Sequence, residues 1–167
     1  MHRTRAPRST PAILALLCCT ALAPPPSEAR PRHADYVDAT SYLASDADYE
    51  AWFTLRRQLR RNFDDICGDT FCEGDYSNIQ SLRFVCSVRP GNGRIGNCGW
   101  SFAASEESLV PATGGYDVDA EAWFCLSPLL PGTTFEALLA ALAGEEPLYA
   151  ALPGSTVTLY DGLVDCL

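Results

Sequence analysis

The segment CGDTFCEGDYSN at residues 67–78 concentrates the side chains of this sequence that could do chemistry. Its cysteines are spaced C-x4-C, whereas a dithiol redox centre uses C-x-x-C, so the spacing disfavours redox catalysis. Its oxygen atoms could bind calcium, although an EF-hand needs glycine where Asn78 stands and glutamate where Phe84 stands. One hypothesis is a cross-linked turn with no ligand. The other is a looser calcium site with four ligands: Asp69, Glu73, Asp75 and Asn78.

Other catalytic chemistries find little support in the residue types. Covalent catalysis by serine or cysteine needs a histidine beside the nucleophile, and after residue 29 the chain has only His33. The glycine-rich turn at residues 91–93 lacks the lysine and the following helix of a phosphate-binding loop, so no cofactor is predicted. Hydrolysis by a pair of carboxylates stays open, because the chain is rich in aspartate and glutamate.

The N-terminus has the pattern of an export signal. Three arginines within the first eight residues precede an apolar run at residues 12–23, which is too short to cross a bilayer as a helix. Small residues at positions 27 and 29 predict cleavage after Ala29. Residues 1–29 are therefore predicted to be a signal peptide for secretion or delivery to the periplasm, and no membrane contact is expected after its removal.

Six cysteines follow the predicted cleavage site: Cys67, Cys72, Cys86, Cys98, Cys125 and Cys166. An even number in an exported chain predicts three disulfides rather than a zinc site, which usually has C-x2-C pairs or histidines. A hairpin loop of residues 91–93 places Cys86 opposite Cys98, on the face that carries the aromatic residues. A bridge from Cys125 to Cys166 would close about 40 residues and contribute about 4 kcal/mol, leaving Cys67 for Cys72. Only the hairpin pair follows from geometry; the other two pairs are one choice among several.

The charge is strongly negative and uneven. The full chain has a net charge of −9, and after residue 29 nine arginines, no lysine and 21 − 1 = 20 acidic residues give 9 − 20 = −11. This balance argues against nucleic acid and anionic membranes, and it permits a cationic partner, a divalent cation such as calcium, or a role in solubility alone. Four arginines predicted on one helix form either a docking site or a solvated face: Arg56, Arg57, Arg60 and Arg61. Arginine without lysine also indicates the high-GC coding of a bacterial source.

Residues 30–44 are predicted to be a poorly ordered linker and residues 45–167 a single domain. Apolar residues that recur every three or four positions predict helices at 45–66, 133–143 and 155–166. Alternating patterns predict strands at 81–88, 95–103 and 116–126. The buried face of the first strand is expected to carry Leu82, Phe84, Cys86 and Val88. The predicted fold is α+β: a three-stranded antiparallel meander with an N-terminal helix and two C-terminal helices, braced by disulfides.

Several strings within residues 67–167 also resemble a group of bacterial proteins. The string GDTFCEGDYSN, a CSV strand, a C-x-W-x-F strand, an LPG and a YD-x-L-x-x-C ending are similar to uncharacterised secreted proteins of myxobacteria-like bacteria. The resemblance implies no catalytic or binding residue. The sequence therefore predicts a small secreted binding or inhibitor module for an unknown protein or cationic partner. The alternatives are a carboxylate-pair hydrolase and a calcium-stabilised adhesion or structural protein.

Overall fold

A computed structural model describes residues 35–167, and the predicted signal peptide (1–29) lies outside the described residues. The strands are β1 Val37–Asp38, β2 Gln80–Val88, β3 Ile95–Val110 and β4 Gly115–Leu126. The helices are α1 Ala39–Tyr42, α2 Asp46–Cys67, α3 Phe135–Ala141 and α4 Leu159–Val164, with one 3₁₀ turn at Phe71–Glu73. All neighbouring strands are antiparallel, in the order β1-β2-β3-β4. The α+β class is confirmed, whereas the predicted three strands are four.

The long helix α2 starts where local chemistry predicts. The Ser45 hydroxyl accepts a hydrogen bond from the Asp48 amide, and the Asp48 carboxylate accepts one from the Ser45 amide, which together form a capping box. The buried stripe of the helix packs against the sheet and contains Trp52, Leu55, Leu59, Asn62 and Phe63. Asn62 is the one polar residue of this stripe, and it anchors a distant loop through both ends of its amide.

The domain starts before the predicted boundary at Ser45. Val37 pairs with Val88 of β2, so the supposed linker supplies a fourth strand at the edge of the sheet. Asp38 caps the short helix that follows, and the side chains of Ala39 and Leu43 are buried in the core. Two strand residues carry too little alternation to be recognised, which explains why the sequence analysis placed this segment in the linker.

The hairpin between β2 and β3 pairs Cys86 with Cys98, as the sequence predicts, but through a longer loop. The Arg89 amide donates to the Arg94 carbonyl at 2.8 Å, so the loop has four residues, and Gly93 takes φ +66°. The extra loop residue is compensated by an irregularity in the pairing between Cys86 and Val88, which restores the predicted register. Gly93 is therefore left-handed as predicted, within a four-residue loop.

A second irregularity in β2 changes the direction of Leu82. Ser81 pairs with Phe102 and Arg83 with Ser101, which leaves Leu82 between them without a partner on β3. The bulge turns this side chain outward, so that 49% of Leu82 is exposed. The expectation that Leu82 shares the buried face of β2 is therefore wrong, while Phe84 on the same strand is buried.

The three disulfides join Cys67 to Cys72, Cys86 to Cys98 and Cys125 to Cys166, with Cα separations of 5.0, 4.0 and 5.6 Å. The 86–98 pair is the one that the hairpin predicts, and the other two match one of the pairings left open for the remaining four cysteines. Each links a buried part of the core to a neighbouring element, because the first of the two cysteines is buried in all three. No helix among residues 35–167 has both the length and the apolar character needed to cross a bilayer.

The C-terminal helices are shorter than the sequence predicts. Helix α3 begins after Thr134, whose hydroxyl accepts a hydrogen bond from the Ala137 amide. Helix α4 begins after Thr158, which forms a second capping box with Asp161. Residues 155–157, predicted as helix, instead precede this cap, because a threonine with an aspartate three residues later is a stronger helix start than Ser155.

Candidate functional site

The hairpin of β3 and β4 extends well beyond the rest of the sheet. The pairing of β2 with β3 ends at Gln80 and Ala103, whereas β3 and β4 stay paired out to Val110 and Gly115. Within residues 35–167, residues 105–120 therefore pair only with each other, and we call this segment the arm. The Asn78 side chain accepts a hydrogen bond from the Ser105 amide at 3.0 Å, which fixes the base of the arm.

One face of β4 is apolar along its whole length. Because side chains alternate along a strand, every second residue points to the same side. We call the outward-facing set the β4 stripe: Tyr116, Val118, Ala120, Ala122, Phe124 and Leu126. The opposite set carries Cys125, which is buried, and Trp123, which is half-buried, so the stripe lies on the face directed away from the core.

The large residues of the β4 stripe are exposed to solvent. The exposed fractions are 73% for Tyr116, 58% for Val118, 57% for Phe124 and 58% for Leu126. Leu109 on β3, which pairs with Tyr116, is also 58% exposed and extends the stripe sideways. A continuous apolar surface of this kind on a small protein usually marks an interaction site.

Phe124 packs against the outer face of the sheet at Gly99. Any side-chain carbon at position 99 would overlap the Phe124 ring, so only glycine at this position permits the close approach. Gly99 is correspondingly buried although it lies on the outer face. The ring therefore has a defined position on the sheet, and it presents its other side to solvent.

The opposite face of the arm is acidic. Asp117, Asp119 and Glu121 alternate with the apolar stripe on β4, and Glu106 lies across from Asp119 on β3. The Tyr76 hydroxyl donates to Asp119 at 3.0 Å, and the Tyr76 ring packs edge-on against Trp123. Burial, together with the Asp119 carboxylate, raises the pKa of Tyr76. On β4 the arm thus has one apolar and one negatively charged face, whereas on β3 Ser105 and Glu107 lie on the side of the stripe, with Glu107 across from Val118.

The free edge of β4 adds hydrogen-bonding capacity to this surface. β4 is the last strand of the sheet, and within residues 35–167 no strand pairs with its outer edge. Exposed edges are commonly protected by charged side chains, proline, a bulge or a covering helix. β4 carries three carboxylates on one face and has α4 beside its last residues, but it has no proline and its pairing with β3 is regular. Its backbone amides and carbonyls on that side are available to a further strand.

The residues predicted to bind calcium do not form a comparable site. All four are exposed, and the amide oxygen of Asn78 is used to hold the arm. Among residues 35–167 no three histidine, cysteine, aspartate or glutamate side chains lie close enough together to hold a metal ion. The calcium hypothesis for Asp69, Glu73 and Asp75 therefore gains no geometric support, and the cross-linked turn is the simpler description of the segment.

Two carboxylates that share a groove are already used in structural contacts. Asp48 and Glu136 both line the groove beside Tyr42. Asp48 accepts hydrogen bonds from the amide and the hydroxyl of Ser45, at 3.2 and 2.6 Å. Glu136 accepts a hydrogen bond from the Tyr42 hydroxyl, which raises the pKa of Tyr42. The Tyr42–Glu136 contact joins α1 to α3, while the Asp48 contacts stay within the cap of α2, so both carboxylates of this groove have structural partners.

Comparisons with protein families, with curated proteins and with solved structures find no match to this chain. The candidate site therefore stands on the geometry of the arm and of β4. The sequence analysis missed the arm because it ended the second strand at residue 103. The alternation of Tyr116, Val118, Phe124 and Leu126 with charged residues was the signal that could have found it.

Proposed function

We propose that this protein is a secreted, disulfide-braced binding module that docks an extended segment of a partner protein along β4. The exposed apolar stripe on an unpaired edge strand is the observation that carries the proposal. Secretion is supported by the pattern of residues 1–29 and by three disulfides, which form outside the reducing cytoplasm.

Strand addition would use both features of β4. A partner strand would satisfy the free backbone groups of the edge, which supplies affinity with little dependence on sequence. It would also cover the large side chains of the stripe, each more than half exposed. Covering such a side chain contributes about 1 kcal/mol or more, so four of them offset a substantial part of the cost of association.

The two faces of the arm define the chemistry of the partner. Side chains of an added strand alternate, so one set would lie on the stripe and the other beside Asp117, Asp119 and Glu121. The first set is therefore apolar and the second is lysine or arginine. This agrees with the net charge of −11 after residue 29 (9 − 20), which attracts cationic partners at long range.

The proposal is tested with the oxidised mature protein immobilised as bait. A synthetic peptide of alternating valine and lysine is the probe, and the same peptide with glutamate in place of lysine is the charge control. We expect the lysine peptide to bind and the Val118→Ser/Phe124→Ser double variant to lose most of this binding. The Val164→Ser variant is the matched control, because Val164 is 56% exposed but lies on α4.

Proteins of the native secretome are then passed over the same three baits. A partner retained by the wild type and by Val164→Ser, but not by the double variant, supports docking on β4. Equal retention by all three baits, together with equal binding of both peptides, would refute it.

Neither alternative function has an observation of comparable weight in the described residues. For a hydrolase, the two carboxylates that share a groove, Asp48 and Glu136, already have structural hydrogen-bond partners, Ser45 and Tyr42. Calcium stabilisation would appear as a melting temperature that rises with calcium and falls with a chelator. We include that melting measurement, with and without calcium, alongside the binding experiment.

A further inference from the structure

A groove between α2 and β2 combines apolar walls with arginines. It has a volume of about 410 Å³, within the range of small-molecule sites, and we call it the arginine groove. Its lining consists of Phe53, Arg56, Arg57, Arg60, Ser81, Leu82, Phe84 and Trp100. The outward turn of Leu82 at the bulge in β2 creates one wall, so the groove is a product of the irregular pairing described above.

Arg56 is the arginine of the groove that has neither an ion pair nor a hydrogen bond to another of residues 35–167, whereas Arg60, also without an ion pair, donates to the Leu82 carbonyl. Arg57 contacts Glu50 at 3.0 Å. The Arg56 guanidinium lies over the rings of Phe53 and Trp52, 5.5 and 5.9 Å from their centres, which holds it in place. Partial burial lowers the pKa of Arg56, and repulsion by Arg83 and Arg60 adds to this effect while Asp38 opposes it. An anion would relieve this repulsion.

The other polar groups of the groove are arranged by the protein itself. Arg60 donates to the Leu82 carbonyl at 3.1 Å, which ties the end of α2 to the bulge. The Trp100 indole nitrogen donates to the Ser81 hydroxyl at 2.9 Å, which fixes the aromatic floor. The groove is thus pre-organised, and it needs little rearrangement to accept a ligand.

The position of these arginines is unusual for so acidic a protein. Residues 35–167 contain seven arginines, and four of them lie in or beside this groove: Arg56, Arg57, Arg60 and Arg83. A planar guanidinium pairs with carboxylate through two parallel hydrogen bonds, while aromatic and aliphatic walls accept an apolar body. We propose that the arginine groove binds a small amphipathic carboxylate, with the carboxylate on Arg56 and the apolar body against the exposed side chains of Leu82 and Phe53, above the buried Phe84 and Trp100.

This inference is independent of partner docking, because the groove is built from α2, β2 and Trp100 of β3 and does not include β4. Calorimetric titration of the oxidised mature protein tests it with four probes: octanoate, benzoate, acetate and octylammonium. Octanoate and benzoate separate an aliphatic from an aromatic body. Acetate lacks the body, and octylammonium carries the opposite charge.

We expect octanoate or benzoate to bind and acetate and octylammonium to bind at least tenfold more weakly. Arg56→Gln should weaken binding about tenfold or more, because it removes a charge-assisted hydrogen bond. Arg61→Gln is the matched control, because it changes the same charge on the same helix outside the groove, and it should change affinity less than twofold.

A second variant keeps the test informative if Arg56→Gln folds poorly. Leu82→Glu places a negative charge in the groove wall at a half-exposed position, and Leu82→Gln is its uncharged control. Both variants remove the apolar wall and should weaken binding, and the glutamate variant should bind at least tenfold more weakly than the glutamine variant because its charge repels the carboxylate. Equal binding of octanoate and octylammonium, absence of binding by both carboxylates, or equal effects of the glutamate and glutamine variants would overturn the proposal.

Discussion

Asn62 offers the sharpest test of how the fold is held together. It is a buried polar residue on α2, with 7% of its surface exposed. Its amide nitrogen donates to the Glu145 carbonyl at 3.0 Å, and its amide oxygen accepts from the Leu148 amide at 3.4 Å. Leu148 is fully buried, so water cannot replace this oxygen. Asn62 therefore links the segment after α3 to the long helix.

The cost of removing this link can be worked from the two hydrogen bonds. In Asn62→Ala the buried Leu148 amide loses its partner, which costs about 1–3 kcal/mol. The bond to Glu145 contributes about 1 kcal/mol net, and water can reach that exposed residue. We therefore expect a loss of about 2–4 kcal/mol in the free energy of unfolding.

Urea unfolding of the oxidised protein, followed by fluorescence of the buried Trp52 and Trp100, measures this loss. Asn92→Ala is the matched control, because the Asn92 side chain accepts from the Arg94 amide at 3.1 Å in an exposed turn and should cost less than about 1 kcal/mol. Asn62→Leu fills most of the space without making either hydrogen bond. Full stability in Asn62→Leu, or equal losses in the two alanine variants, would refute the reasoning.

Three further predictions concern the disulfides, the arm, and the loss of stability at low pH. By chain entropy, replacing both cysteines of the 125–166 disulfide with alanine should cost about 4 kcal/mol, and the same change at the 67–72 disulfide about 2 kcal/mol. The urea midpoint should therefore be lowest in the variant without the 125–166 disulfide. Replacing residues 106–119 by Asn-Gly should abolish partner binding but leave the melting temperature nearly unchanged, because the removed side chains are outside the core. Loss of the cooperative unfolding transition in this variant would contradict the prediction. Hydrogen bonds from the Thr158 amide and hydroxyl lower the pKa of Asp161. The stability that Asp161 contributes is therefore present above the pKa of the unfolded chain and is lost as the pH falls through the pKa of the folded protein. An NMR titration of the Asp161 carboxyl group with an unshifted midpoint would contradict this.

Features determined by neighbouring residues were predictable from the sequence. Ser45 starts α2 as expected, because its hydroxyl and the Asp48 carboxylate act within one turn. Cys86 pairs with Cys98 because the extra loop residue and the irregularity between Cys86 and Val88 cancel, and the prediction assumed neither of them. The α+β class follows from periodicities that the folded protein keeps.

Features determined by distant strands were not predictable. Leu82 belongs by alternation to the buried face, and only the pairing of Ser81 and Arg83 with β3 shows that it is displaced. The half of the arm on β3, SEESLV, has little apolar alternation, so it becomes a strand only because β4 pairs with it. Val37 joins the sheet for the same reason. The candidate site lies mainly in these segments, which explains why the sequence analysis did not locate it.

The arm also divides the covalent framework of the molecule. The 67–72 and 86–98 bridges close before it, and the 125–166 bridge closes after it, so none of the three crosses the segment 105–120. An extracellular protease that cuts the arm would leave two polypeptides joined only by packing and hydrogen bonds. Such a nicked molecule would migrate as one species in native electrophoresis and as two fragments in detergent, even without a reducing agent.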